Sequence, residues 1–347
     1  MQTINTALCS FGMSGHLFHA PFIEVNPYFN LYGVLERTKN LAQNKYPKIK
    51  TFRSLESMLQ DDAIELIILN TPSVTHYEIA KKIINARKHL VVEKPFTATV
   101  LQGQELIALA NEHDILMSVY HNRRWDSDFK TVKKVLDSGV LGNVVEAEFH
   151  FDRYEPGLSY KAHKETPTEG VGALYDLGSH LIDQALQLFG VPNEVYAHLD
   201  TFRKDSKVAD YFDVKLYYGN HLVTLKSSYF VREALPAYQI HGTNGTFIKT
   251  KSDVQEGELQ KGNKPNSANW GVEPDSEKGL LHIMKDGKSH REIIESEAGD
   301  YMAYYNGIYE AIRNHKSLPV SAEDGIMVIQ IIEAALKSNK EKRVIQL

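Results

Sequence analysis

Residues 3–36 read TINTALCSFGMSGHLFHAPFIEVNPYFNLYGVLE, and this stretch decides the fold. An apolar run, Ala7 to Phe11, enters a glycine turn; a helix-compatible segment follows, and a second apolar run, LYGVLE, ends in an acid. Strand, turn, helix and strand in that order make a βαβ unit. The turn reads Ser10-x-Gly12-x-x-Gly15, in which Gly12 lets backbone approach a pyrophosphate and Gly15 lets the helix pack closely on the strand. Ser10 stands where a dinucleotide-binding turn normally has its first glycine. Glu36 lies 21 residues past Gly15, at the end of the second strand, where a carboxylate can accept hydrogen bonds from an adenosine ribose. Read blandly, it is an ordinary strand-end acid.

Downstream, apolar runs at Ile49 to Phe52, Glu65 to Asn70, His89 to Val92 and Ile115 to Tyr120 alternate with helical stretches such as Val74 to Ala86 and Val100 to His113. That alternation predicts a doubly wound parallel sheet. In such a sheet the carboxyl ends of the strands face the ligand crevice. Three of these strand ends carry polar clusters: Asn70-Thr71-Pro72-Ser73 with His76 beyond, Glu93-Lys94-Pro95, and His121-Asn122-Arg123-Arg124-Trp125. Convergence of three clusters is harder to explain as scattered surface charge than any one of them alone.

From Val145 to Asp152 apolar and polar residues alternate, and Phe212, Val214 and Leu216 repeat the pattern, which is the period of an antiparallel strand covered on one face. More strands are expected at Leu222 to Phe230, Ala237 to His241 and Thr246 to Thr250. Residues 252–275 read as a polar loop. Two helices close the chain, at Tyr301 to Asn314 and Ala322 to Ser338, the second opened by Ser321 with Asp324 three residues on. The expected organisation is thus a Rossmann domain over residues 1–122, followed by an α/β domain with an open, mostly antiparallel sheet over 123–347. The second domain contains the apolar helix Ala173 to Phe189. Asp176, His180, Asp183, Gln184 and Gln187 form one stripe on it, which either faces solvent or lines a pocket. In the pocket reading, Asp176 and His180 are an i, i+4 pair in which a carboxylate can orient an imidazole, an acid–base device.

The net charge of −5, with no basic patch interleaved with aromatics, argues against a nucleic-acid partner. No run has membrane-spanning length, and the N-terminus lacks the basic and apolar regions of a signal peptide, so the expected address is cytoplasmic. A single cysteine, Cys9, fits a reducing compartment, and its place in the first strand points to burial. No metal site is expected, because His16 and His19 lack further ligands at a recognisable spacing.

The degenerate glycine turn, NTPSVTH, EKPFT, YHNRRWD and YDLGSHLID together resemble the Gfo/Idh/MocA family of nicotinamide-dependent oxidoreductases, nearest its scyllo-inositol dehydrogenase branch. The resemblance implies a Rossmann domain and an α/β domain with the active site between them. Gly12, Met13, Ser14, Gly15, Glu36, Thr71, Pro72, His76 and Glu93 would line the cofactor. Lys94 and the Asp176/His180 pair would be catalytic and substrate-binding, with Asp183 supporting the histidine. Asn122, Arg123 and Trp125 would border nicotinamide and substrate. It also supports a homodimer or a dimer of dimers built from second-domain sheet faces.

Oxidising a secondary alcohol requires removal of its proton while a hydride leaves the same carbon. His180 suits the base at neutral pH, and Lys94 would hydrogen-bond the same oxygen or relay the proton; which of the two is the formal base stays open. The expected substrate is a sugar, polyol or cyclitol. NAD is expected over NADP because Glu36 would repel a 2′-phosphate, but Arg37 beside it would welcome one if Glu36 turned away. The competing reading is a dinucleotide-sensing regulator or binding protein of the same fold without turnover.

Overall fold

The computed structural model describes residues 2–347. The chain forms two compact units, each of three segments: Met1–Asn122 with Gln255–Trp270 and Asp300–Ile326, and Arg123–Val254 with Gly271–Gly299 and Met327–Leu347. The chain first crosses between the units after residue 122 and crosses again further on, for a packing reason. The helix Met302–Asn314 carries Tyr305, which stacks on Phe22 at 5.5 Å, and Tyr309, which stacks on Tyr28 at 4.2 Å. These aromatic faces tie it to the first unit. The region read as a polar loop holds a short helix, Gln255–Gln260, joined to the same unit because buried Gln255 accepts from Trp270 Nε1 (3.1 Å) and Tyr301 N (2.8 Å).

The first unit is a six-stranded, all-parallel sheet of β1 (Ile4–Leu8), β2 (Phe29–Leu35), β3 (Lys50–Phe52), β4 (Leu66–Leu69), β5 (His89–Val92) and β6 (Met117–Val119). Its order is β3-β2-β1-β4-β5-β6. The sequence of β4, LIIL, is buried at every position, as a strand covered on both faces must be. The order reverses at β1, whose neighbours are β2 and β4, so Ser10 and Asn70 leave adjacent strands at the switch point where such sheets bind ligands. Cys9 is buried there, and burial pushes its thiol up to about 12, which removes the thiolate at neutral pH.

In the second unit nine strands form one sheet. They are β7 (Val144–His150), β8 (Glu194–Asp200), β9 (Tyr211–Tyr218), β10 (His221–Ser228), β11 (Tyr238–Gly242), β12 (Gly245–Lys249), β13 (Gly279–Lys285), β14 (Lys288–Ile294) and β15 (Ile345–Gln346). The order is β14-β13-β12-β11-β7-β10-β9-β8-β15, antiparallel except for the parallel pair β7/β10. Phe212, Val214 and Leu216 are buried on one face of β9, while Tyr211, Asp213, Lys215 and Tyr217 are half-buried on the other. Ser321 and Asp324 cap the last long helix reciprocally, at 3.1 and 3.0 Å, as their spacing predicts. Among the described residues no helix is long and apolar enough to cross a membrane.

Candidate active site

The glycine turn of the first unit is held from β4. Asn70 accepts from Ser10 N (2.9 Å) and donates to Ser10 O (3.0 Å), while Ser10 Oγ donates to Asn70 O (2.9 Å). Ser10 thus replaces the usual glycine with a side chain that fastens the turn. A Cβ on Gly15 would fall 2.4 Å from Ser10 O and 2.7 Å from Asn70 Nδ2, so only glycine permits this contact. On Gly12 a Cβ would meet only Ser10 Oγ, at 3.8 Å, leaving that backbone open to a bound group. This combination fits the phosphates of a dinucleotide. After Met13 and Ser14 the chain makes a π-turn, Gly15–His19, before the helix Ala20–Val25.

At the end of β2, Glu36 is buried and accepts hydrogen bonds from Leu41 N (3.1 Å) and Ala42 N (2.9 Å), capping the helix Leu41–Lys45. Both carboxylate oxygens are therefore engaged with backbone amides. Arg37, Thr38 and Lys39 are exposed, and Arg53 fixes the path of the loop through Glu36 O (2.8 Å) and Lys39 O (2.6 Å).

The third contributor is the turn after β5, which contains a cis Lys94–Pro95 bond. His76 pins it. Fully buried, its ring nitrogens lie 3.0 Å from Pro95 O and 3.0 Å from Thr71 O, joining Thr71-Pro72 to the Glu93-Lys94-Pro95 turn. Burial holds this imidazole below its usual range, outweighing the carbonyls that favour its charge. Glu93 accepts from its neighbour Lys94 N (3.1 Å) and meets His19 Nε2 at 2.9 Å. Asn122 is buried at the start of the short turn Asn122–Trp125.

In the second unit the helix predicted at Ala173 to Phe189 is observed with a π-turn, Leu174–Gly178, leading into Ser179–Phe189. A Cβ on Gly178 would lie 2.7 Å from Leu174 Cδ1 and 3.3 Å from Phe212 Cζ, so the glycine lets the turn press onto β9. Single π-turns of this kind recur at functional sites. The polar stripe does not face solvent: His180, Asp183 and Gln184 are buried, and only Gln187 is exposed. Asp183 takes a bidentate guanidinium from Arg124, at 2.9 Å from Nε and 2.6 Å from NH2. Asp183 thereby sits in a buried ion pair, because a carboxylate this deep needs charge compensation. Gln184 donates to Arg123 O at 3.2 Å and accepts from Tyr238 Oη at 3.1 Å. Arg123 itself pairs with Asp126 at 3.2 Å and lies over Phe151, 5.1 Å from the ring centre. The Phe151 ring is 6.2 Å from the His180 imidazole, the two planes inclined by 29°. Asp176 pairs with Lys164 at 2.8 Å, and Trp125 is half-buried.

Residues 4–121 match the NAD-binding Rossmann fold of the Gfo/Idh/MocA oxidoreductase family, and residues 133–347 match that family's C-terminal alpha/beta domain. The chain belongs to this family. Among its Gfo/Idh/MocA relatives, scyllo-inositol 2-dehydrogenase (NADP(+)) IolW of Bacillus subtilis is 40% identical over 100% of this chain and 97% of its own length. YdgJ of Escherichia coli, an uncharacterized oxidoreductase, is 35% identical over 98% of each chain. Of solved structures, the putative oxidoreductase yvaA of Bacillus subtilis superposes with a TM-score of 0.97 at 40% identity, covering 100% of this chain and 99% of that one. A putative oxidoreductase of Bacteroides fragilis gives 0.91 at 45% identity, with 100% of both covered. The family expected from EKPFT, YHNRRWD and YDLGSHLID is thereby borne out, as is the α/β fold.

Several residues of these networks were not singled out by the sequence reading. Arg124 is the second arginine of YHNRRWD and Lys164 lies in the short helix Ala162–Glu165, and neither carries a local signal of its partner. His19 was considered only as a metal ligand. Its burial by Tyr305, 286 residues away, is invisible to local patterning.

Proposed function

We propose that this protein transfers a hydride from a secondary alcohol of a sugar, polyol or cyclitol to a nicotinamide dinucleotide. The observations that carry the reading are, in the first unit, a phosphate-type glycine turn beside the Glu93-Lys94-Pro95 turn and, in the second, a helix with Asp176 on its π-turn and His180 buried just after it. When bound, the nicotinamide supplies the hydride acceptor. Gly12, Gly15 and the amides around them hold its phosphates. His180 removes the hydroxyl proton as a neutral imidazole, and Lys94 donates a hydrogen bond to the same oxygen, stabilising the charge that builds there. Asp176 exchanges its Lys164 contact for a substrate hydroxyl. Asn122, Arg123 and Trp125 border the reacting ring.

Between the two cofactors we favour NADP(H) over the NAD expected from sequence. With both Glu36 oxygens turned onto Leu41 and Ala42, the acid is withdrawn from a ribose, and the exposed Arg37 stands free to meet a 2′-phosphate. That the IolW relative is an NADP(+)-dependent enzyme supports this. Oligomerisation through the half-buried face of the second sheet belongs to the same reading. Titration of the purified protein with NADPH and NADH, followed by a reduction screen over inositol isomers, aldoses, deoxy sugars and uronates, tests it. Tighter NADH binding sinks the cofactor assignment. Turnover confined to simple aliphatic alcohols or 2-hydroxy acids sinks the substrate class, and cofactor binding without any turnover restores the sensor reading.

A further inference from the structure

His19 ends the π-turn Gly15–His19 and is fully buried. Its Nδ1 lies 2.9 Å from Tyr305 Oη and its Nε2 lies 2.9 Å from Glu93 Oε1. Tyr305 Oη is also 2.6 Å from the carbonyl of Phe18, a separation that two oxygens keep only with a proton between them, so the phenol donates there. Nδ1 must then donate to Tyr305. Nε2 faces a carboxylate, and a bare lone pair would be repelled, so a proton lies on that line too. The pair therefore holds one proton more than a neutral imidazole and a carboxylate carry between them.

We propose that His19 is a positioning residue for Lys94: as an imidazolium it fixes the Glu93 carboxylate and cancels its charge at the turn that presents the lysine. This rests on the reading of Lys94 as a catalytic group. Burial alone would push the Glu93 carboxyl up, but the hydrogen bond and charge of His19, with the charges of Lys94 and His76, bring it below the usual carboxylate range. With Oε2 accepting from Lys94 N at 3.1 Å and Oε1 facing the ring at 2.9 Å, both carboxylate oxygens act as acceptors and the proton sits on the ring. Around the His19–Glu93 pair stand Tyr305, His76 from the helix His76–Asn85, Lys94 on the turn itself, and Tyr120 and Tyr304 beside Tyr305. Among these His76 is kept toward its neutral form by burial, and burial pushes the Tyr305 phenol far up, so it stays protonated. His19 is thus the group that balances Glu93 before Lys94 does.

The experiment is a kcat–pH profile for wild type, His19→Gln and the double variant His19→Gln/Glu93→Gln, with NMR of the His19 ring nitrogens in the wild-type protein. His19→Gln keeps a donor but loses the charge, so Glu93 acts on Lys94 and the profile moves to higher pH by roughly one unit. The double variant loses both charges and returns to the wild-type profile. A merely structural role would lower thermal stability or kcat without moving the profile, and that result overturns the proposal. The ring is expected to carry protons on both nitrogens at pH 7.5. This readout needs no substrate, so it stands even if the dehydrogenase reading fails, and a singly protonated ring overturns the proposal by itself.

Discussion

The two π-turns, Gly15–His19 and Leu174–Gly178, are the same local device put to different ends. Each is a five-residue turn at the head of a helix, each relies on a glycine for a close approach, and each brings a histidine and an acid into play. At the first turn His19 is fully buried and both of its nitrogens reach partners, Tyr305 and Glu93. At the second the acid, Asp176, is 28% exposed and paired with Lys164, which is 38% exposed. A closed circuit fixes geometry. A half-exposed ion pair can exchange its partner for a ligand hydroxyl at little cost, because solvent screens most of what it contributes. On the proposed function, the difference separates a turn that is held fixed from a turn whose acid is available to a substrate hydroxyl.

Breaking the anchor of the second helix should have the largest effect. Arg124→Ala leaves Asp183 buried and uncompensated, with side chains only 10% and 3% exposed in the intact pair, and should cost about 3–5 kcal/mol in urea unfolding. A loss below about 1 kcal/mol would show that the pair is solvated and the helix held otherwise. Next in size, His180→Ala should lower kcat roughly 100-fold while leaving the dissociation constant of the cofactor unchanged. Near wild-type turnover would make this histidine structural. Lys164→Ala should change stability by less than about 1 kcal/mol, since its pair with Asp176 is half-exposed. An effect as large as that of Arg124→Ala would erase the contrast between the two kinds of ion pair.

The smallest effect concerns His150 on β7, which lies 2.6 Å from Glu148 and 2.8 Å from Asp152. Burial lowers its affinity for a proton, but the two carboxylates prevail and hold the imidazole above its ordinary range. A group raised in the folded state stabilises fully below its unfolded value, about 6.5, and loses that contribution as pH rises through the folded value. The Tm difference between wild type and His150→Gln should therefore be greatest near pH 6 and shrink toward pH 9. A difference that grows with pH would mean the ring is buried neutral.

What the sequence made legible was whatever is local. β5 and the Glu93-Lys94-Pro95 turn could be read because an apolar run, an acid, a base and a proline declare a strand end within eight residues. Helix Ser179–Phe189 could be read from its periodicity, but the destination of its polar stripe could not, because Arg124 reaches Asp183 from 59 residues away. The hairpin β13/β14 went unread for a different reason. Nearly all of β14 is exposed, so no apolar alternation marks it, although Asp286-Gly287, both at positive φ, is a two-residue turn signal that was there to be used. Glu36 shows the limit of motif logic. Its position is that of a ribose acceptor, yet its orientation is set by two backbone amides that only the folded loop supplies.

The central claim is hydride transfer from a polyhydroxylated substrate with Lys94 at the reacting oxygen, and the most direct test is the initial rate of NADP⁺ reduction by wild type and Lys94→Ala across the polyol panel. Wild type should reduce cofactor with at least one cyclitol, aldose or related polyol, and Lys94→Ala should be slower by roughly 100-fold or more while still binding NADPH as tightly. Equal rates in the two proteins, or no reduction with any polyol by a wild type that binds the cofactor, would contradict it.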